Sequence, residues 1–218
     1  MADKNAGKAV PLDLIALILL TAKDHPYGPP AAFMALTNAR PAEAYAFDPS
    51  IHCNWETMKA HIVDSYKLIN NNDYVLTSGT KNTSGRARYL KERYVDIPEV
   101  LAPLLRGHRG PLLTQEDGSQ VTKSSQRKQQ LSYERYLISR GANAGLHWTP
   151  RDMRTTWASM SVHAGFTPKE LQDKMGHISA ILGMDTYARV LSEMQGETGR
   201  KMNKFIADKI PLLKSASI

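Results

Sequence analysis

The stretch Thr149-Pro150-Arg151-Asp152-Met153-Arg154-Thr155-Thr156-Trp157-Ala158-Ser159 decides how the rest of the chain is read. It opens as a helix: a capping Thr, Pro at the first helical position and an acid at the third. Arg151 and Arg154 lie three apart near that start, so the spacing predicts that they share one face. A helix N-terminus contributes partial positive charge and unbonded N–H groups. Two guanidinium forks beside it can hold an oxyanion or a phosphate. Two exposed arginines on a surface helix are the plainer reading of the same pair. A second start, Thr167-Pro168-Lys169-Glu170, repeats the capping device, and Gly165 and Gly176 stand where the two helices should end.

Working outward, Pro11 to Ala22 reads as a buried helix, and Pro29-Pro30 introduces another through Leu36. Pro41 forces a break after Arg40, because the residue before proline is pushed out of the helical region. A short helix follows from Glu43 to Phe47. Residues 61–66, 74–77 and 89–97 are rich in β-branched and aromatic side chains, with a turn signal at Asn82-Thr83-Ser84-Gly85. They predict a small three-stranded antiparallel sheet. After Pro98 the patterning is helical again. The expected class is α+β, mostly helical, with the sheet near the N-terminal third.

The chain has 218 residues, 42% hydrophobic and 22% charged, enough to bury a core. Its longest uncharged apolar run, Leu14 to Ala22, falls far short of a membrane span, and its start lacks the build of a secretory signal. A single cysteine, Cys53, excludes an internal disulfide and a cysteine metal cluster. A cytoplasmic protein is expected. The net charge is +7, and it is not evenly spread. Residues 81–154 hold 14 basic and 7 acidic side chains, whereas residues 1–80 hold 6 and 8. A localised basic excess suits a phosphate-bearing partner.

Gly176-His177 follows the second capped helix, and Tyr187 lies further on, after Asp185-Thr186. The ordered set Arg-x-x-Arg, Gly-His, Tyr resembles the catalytic domain of the tyrosine recombinases, the phage-integrase family. Leu171-Gln172-Asp173-Lys174-Met175-Gly176-His177 continues that pattern. Thr37-Asn38-Ala39-Arg40-Pro41-Ala42-Glu43-Ala44 is similar to the family's first box, and Asp48-Pro49-Ser50-Ile51 falls where its first strand begins. The resemblance covers about residues 11–195. Residues 1–10 are small and polar and read as a flexible segment, and 196–218 has the texture of a C-terminal helical tail; the resemblance implies the catalytic domain over 11–195 and a tail that packs on a neighbouring protomer. The family also carries an N-terminal helical domain that completes a clamp around DNA. This chain begins just ahead of the first box, so weaker DNA affinity is expected of it.

The resemblance implies a site-specific recombinase or integrase acting on double-stranded DNA as a homo-tetramer, through a 3′-phosphotyrosyl intermediate and without metal or other cofactor. Metal-free cleavage of a phosphodiester needs a nucleophile, cations on the non-bridging oxygens and an acid for the departing 5′-oxygen. Tyr187 is the candidate nucleophile, Arg40 and Arg154 the clamp, His177 a further donor and Lys81 the acid, with Lys91 as the rival lysine. Glu43 would orient or buffer Arg40. Arg151 stands where the family usually has His. An arginine cannot accept the tyrosine's proton at neutral pH, so its role narrows to holding phosphate; His147 is a candidate substitute. Two other readings stay open: a non-catalytic DNA-binding protein with a helix-turn-helix around Gly165, and a metal-dependent nuclease, for which no acidic cluster is visible.

Overall fold

Helix α7 (Pro150–His163) starts as the sequence predicts. Thr149 donates to Asp152 through both its main-chain N–H and its hydroxyl, at 2.7 and 2.8 Å. The helix stops at Gly165, whose φ of +93° is the left-handed conformation that glycine adopts without strain. In this computed structural model, residues 8–78 and 93–175 are described. The segments 79–92 and 176–218, and with them Lys81, Lys91, His177, Tyr187 and the tail, lie outside the described residues.

Helix α7 packs on α2 (Gly28–Thr37), which is buried nearly all round through Ala31, Ala32, Phe33, Met34 and Ala35. A helix apolar on every side belongs in the centre of a domain. Helix α1 (Leu12–Thr21) lies against it, and Pro11 serves as the residue before the helix rather than within its first turn. Gly28 allows a close approach: a Cβ there would lie 2.2 Å from the Ala22 carbonyl oxygen. Short helices α3 (Pro41–Ala46) and α4 (Pro49–His52) follow. The stretch 48–51 therefore forms a helical turn, with Asp48 Oδ1 accepting from Ser50 N–H at 2.9 Å, and the first strand begins only at Cys53.

Strand pairing is more divided than the sequence suggested. Strands β1 (Cys53–Asn54), β2 (Lys59–Ile62) and β5 (Arg93–Asp96) form one antiparallel sheet in the order β1-β2-β5. Strands β3 (Asp64–Leu68) and β4 (Tyr74–Ser78) form a separate hairpin. The extended run 59–68 changes partner at Val63, pairing with β5 before it and β4 after it. Its inward residues, Ala60, Ile62 and Tyr66, keep one parity across the switch, so a single apolar face is maintained.

Helix α5 (Ala102–Leu105) leads through loops to α6 (Lys123–Ser139), which is capped by Thr122 and Ser125. Tyr133 and Leu137 of α6 join Trp148, Tyr27, Phe33 and Phe47 in the main core. Several polar groups in this core are paired, although Trp148 Nε1 is buried without a hydrogen-bond partner among the described residues. Tyr27 and Tyr45 hydroxyls lie 2.6 Å apart, and Gln130 donates to the Trp148 carbonyl at 2.7 Å. Helix α8 (Pro168–Met175) is capped by Thr167 and Glu170 as expected, and packs Leu171 on Ala158 and Val162 of α7, with Trp157 alongside. No helix among the described residues is long and apolar enough to cross a membrane.

Candidate active site

The site begins where α2 stops. Asn38 ends that helix with φ +60°, and it is fully buried. Asparagine is one of the few non-glycine residues that tolerates this conformation. The reversal turns its carbonyl oxygen out of the helix and sends the chain through Arg40, held extended before Pro41, into α3. Glu43, in the first turn of α3, folds back and accepts the Arg40 main-chain N–H at 2.6 Å. Its Oε1 also accepts from Arg40 Nη1 at 2.8 Å.

Two further arginines reach this corner from distant parts of the chain. Arg93, the first residue of β5, spans both oxygens of Glu43 with its two Nη groups, each at 2.8 Å. Its Nη2 also donates to the Asn38 carbonyl at 3.2 Å. Arg154 Nη1 donates to the same carbonyl at 3.0 Å, across 116 residues of sequence. Arg154 is reachable from β5 only because α7 packs on α2 and turns its Met153–Arg154 side inward.

Exposure sorts these groups. The Glu43 side chain is 3% exposed and that of Arg93 11%, whereas Arg40 is 37% exposed. Burial alone would raise the Glu43 pKa. The hydrogen bonds and charge of Arg93, with the charge and main-chain N–H of Arg40, outweigh it and hold the carboxyl at about 2. Burial, then the Arg40 and Arg93 charges, push Arg154 down to about 9, with Glu43 acting in the opposite sense. Arg154 is still a cation at neutral pH. Among the described residues, three guanidiniums are thus grouped around one carboxylate. Such a group attracts anions, and its partly exposed member, Arg40, opens it to solvent.

The structure brings Arg40, Glu43 and Arg154 together. Arg151, one turn ahead of Arg154, is exposed instead of sharing its inward face. Residues three apart on a helix differ by about 60° in direction, enough to separate the two at the rim of the buried face. His147 is exposed, and its Nδ1 lies 3.6 Å from Glu134 Oε2. Lys81, its rival Lys91, His177 and Tyr187 lie outside the described residues. The last described turn before Gly176-His177 is nonetheless tied to this corner. Asn38 Nδ2 donates to the Lys174 carbonyl at 3.1 Å, and Lys174 Nζ pairs with Asp96 at the end of β5. Among the described residues, no three His, Cys, Asp or Glu side chains come together as a metal-ligand set.

Sequence reasoning missed Arg93 and Asn38. Asn38 did carry a signal, a residue favouring the left-handed region directly after an apolar helix. Arg93 carried none, because it sits in the charged run Lys91-Glu92-Arg93 that reads as solvated surface.

Comparison with known proteins bears on the fold. The chain has the α+β fold of the tyrosine recombinase catalytic domain. It is similar to Tn1549 transposon integrase in complex with transposon right end DNA, with a TM-score of 0.61 and 15% identity over 90% of this chain and 68% of that one. The same integrase in complex with circular intermediate DNA gives a TM-score of 0.63 at 15% identity over 85% of this chain and 62% of that one. XerA recombinase gives 0.60 at 16% identity over 89% and 66%. The chain therefore spans about two thirds of the length of these structures. No protein-family model and no curated protein matches the sequence.

Proposed function

We propose that this chain is the catalytic domain of a tyrosine-type site-specific DNA recombinase, spanning about residues 11–195. The observation that supports this best is the meeting of Arg40 and Arg154 at the Asn38–Glu43 corner, within a fold shared with an integrase and a recombinase. Arg40 and Arg154 hold the two non-bridging oxygens of the scissile phosphate, and their charges grow in value as negative charge accumulates on those oxygens. Tyr187 releases its phenolic proton to solvent and attacks phosphorus. The P–O5′ bond breaks, a 3′-phosphotyrosyl bond forms, and Lys81 gives its proton to the departing 5′-oxygen. His177 donates a further hydrogen bond to the phosphoryl group. Arg151, exposed one turn away, binds backbone phosphate and takes no proton. Reversal by a second 5′-hydroxyl rejoins the strands, so the energy of the phosphodiester is conserved. The working assembly on double-stranded DNA is a homo-tetramer.

The test is a nicked suicide duplex, offered as a pool of randomised sequence. The wild-type chain accumulates a covalent protein–DNA adduct that survives denaturant, whereas Tyr187→Phe binds the pool and forms none. Adduct persisting in Tyr187→Phe would remove Tyr187 as nucleophile. Binding without any adduct in the wild type would favour a non-catalytic DNA-binding protein.

A further inference from the structure

We propose that Arg93, through its two-pronged grip on Glu43 and its hydrogen bond to the Asn38 carbonyl, is a positioning residue that sets Arg40 and Arg154 as one anion clamp. This inference rests on the reading of Arg40 and Arg154 as phosphate ligands.

Arg93 is not itself placed to meet a substrate. Both Nη groups are spent on Glu43 and Asn38, its side chain is almost buried, and its Nε is fully enclosed by protein. What it does is hold the two acceptors on which the other arginines rest. Arg40 hangs on Glu43 Oε1, an oxygen it shares with Arg93 Nη1. Arg154 hangs on the Asn38 carbonyl, which it shares with Arg93 Nη2. Arg93 thus bonds both acceptors at once, Glu43 and the Asn38 carbonyl. Its planar fork matches a carboxylate edge, and the single ammonium of a lysine cannot span the same three oxygens. Without that fork, Glu43 has one fewer constraint on its rotamer, and Arg40 and Arg154 lose their common reference. Like-charge repulsion between the two guanidiniums is then opposed by fewer bonds at the shared acceptors.

The experiment measures inorganic phosphate binding to the folded chain labelled with ¹⁵N-arginine, by following the Nε–Hε resonances of Arg40 and Arg154. Those resonances are assigned from the Arg40→Lys and Arg154→Lys variants. In the wild type both shift together on titration. In Arg93→Lys, measured well below its melting temperature, phosphate affinity falls by about tenfold or more and the two resonances no longer move in concert. A merely structural role would lower the melting temperature and leave the affinity of the folded chain unchanged; that result overturns the proposal and leaves the recombinase reading standing. If neither resonance responds in the wild type, the phosphate reading fails, and the proposal with it. Should Arg93→Lys not fold, Arg93→Gln, which keeps an amide donor beside Glu43 and leaves Arg40 as its counter-charge, is read in the same way.

Discussion

Asn38 and Lys174, 136 residues apart, are joined by a 3.1 Å hydrogen bond from the Asn38 side-chain amide to the Lys174 carbonyl. The same asparagine offers its own carbonyl to Arg93 and Arg154. One left-handed residue therefore links the end of α2, the start of β5, the inward side of α7 and the last turn of α8.

Asn38→Gly keeps the left-handed backbone and deletes only the side-chain bond. Its cost should be about 1 kcal/mol in urea unfolding, with faster amide exchange over residues 171–175. Asn38→Ala adds the strain of a Cβ at φ +60°, a further 1–2 kcal/mol or so. Equal losses for the two variants would show that the backbone conformation is not what selects asparagine here.

Glu43 makes stability depend on acid. Its folded pKa of about 2 lies below the ordinary carboxylate value of 4.5, so it stabilises the fold at higher pH. That contribution, on the order of 3 kcal/mol, is fully present above pH 4.5 and is lost as pH falls towards about 2. Chemical denaturation at a series of pH values should show this slope in the wild type and not in Glu43→Gln. Glu43→Gln also strands Arg93 and should be less stable at neutral pH by about 3–5 kcal/mol.

Gly28→Ala should destabilise the fold by about 1–3 kcal/mol, since the added methyl meets the Ala22 main chain and not a yielding side chain. Thermal unfolding reads this directly. An unchanged melting temperature would mean that the α1–α2 junction relaxes freely.

Cys53 is half-buried, and burial followed by the nearby Asp48 charge push its thiol up to about 12. The thiolate is the reactive form, so alkylation by iodoacetamide at pH 8 should be slow in the native chain and fast in denaturant. Comparable rates in the two states would contradict the packing around β1.

Within the proposed reaction, Arg40→Ala and Arg154→Ala should each slow adduct formation on nicked duplex by roughly 10²–10³-fold, the usual cost of one oxyanion donor. Arg151→Ala, exposed and outside the buried group, should act mainly on DNA affinity and its salt dependence.

The helices were readable because their signals are local. Thr149 with Asp152, Thr167 with Glu170, and Pro41 after Arg40 each fix a boundary within four residues, and each boundary stands in the structure. The sheet was less readable. Which strand pairs with which depends on contacts remote in sequence, and nothing near Val63 announces a change of partner. The order of boxes pointed to Arg40, Glu43 and Arg154, while Arg93 stayed hidden because its burial is created by the fold and not by its neighbours in the chain.

The sharing of acceptors has a mechanical consequence. A carbonyl bonded by two cations, beside a carboxylate bonded by two, leaves no route for one strut to be removed while the rest keep their load. The α2 terminus, the leading edge of β5 and the α7–α8 pair are braced against one another, and any movement that spreads the arginines must dislodge all of them at once.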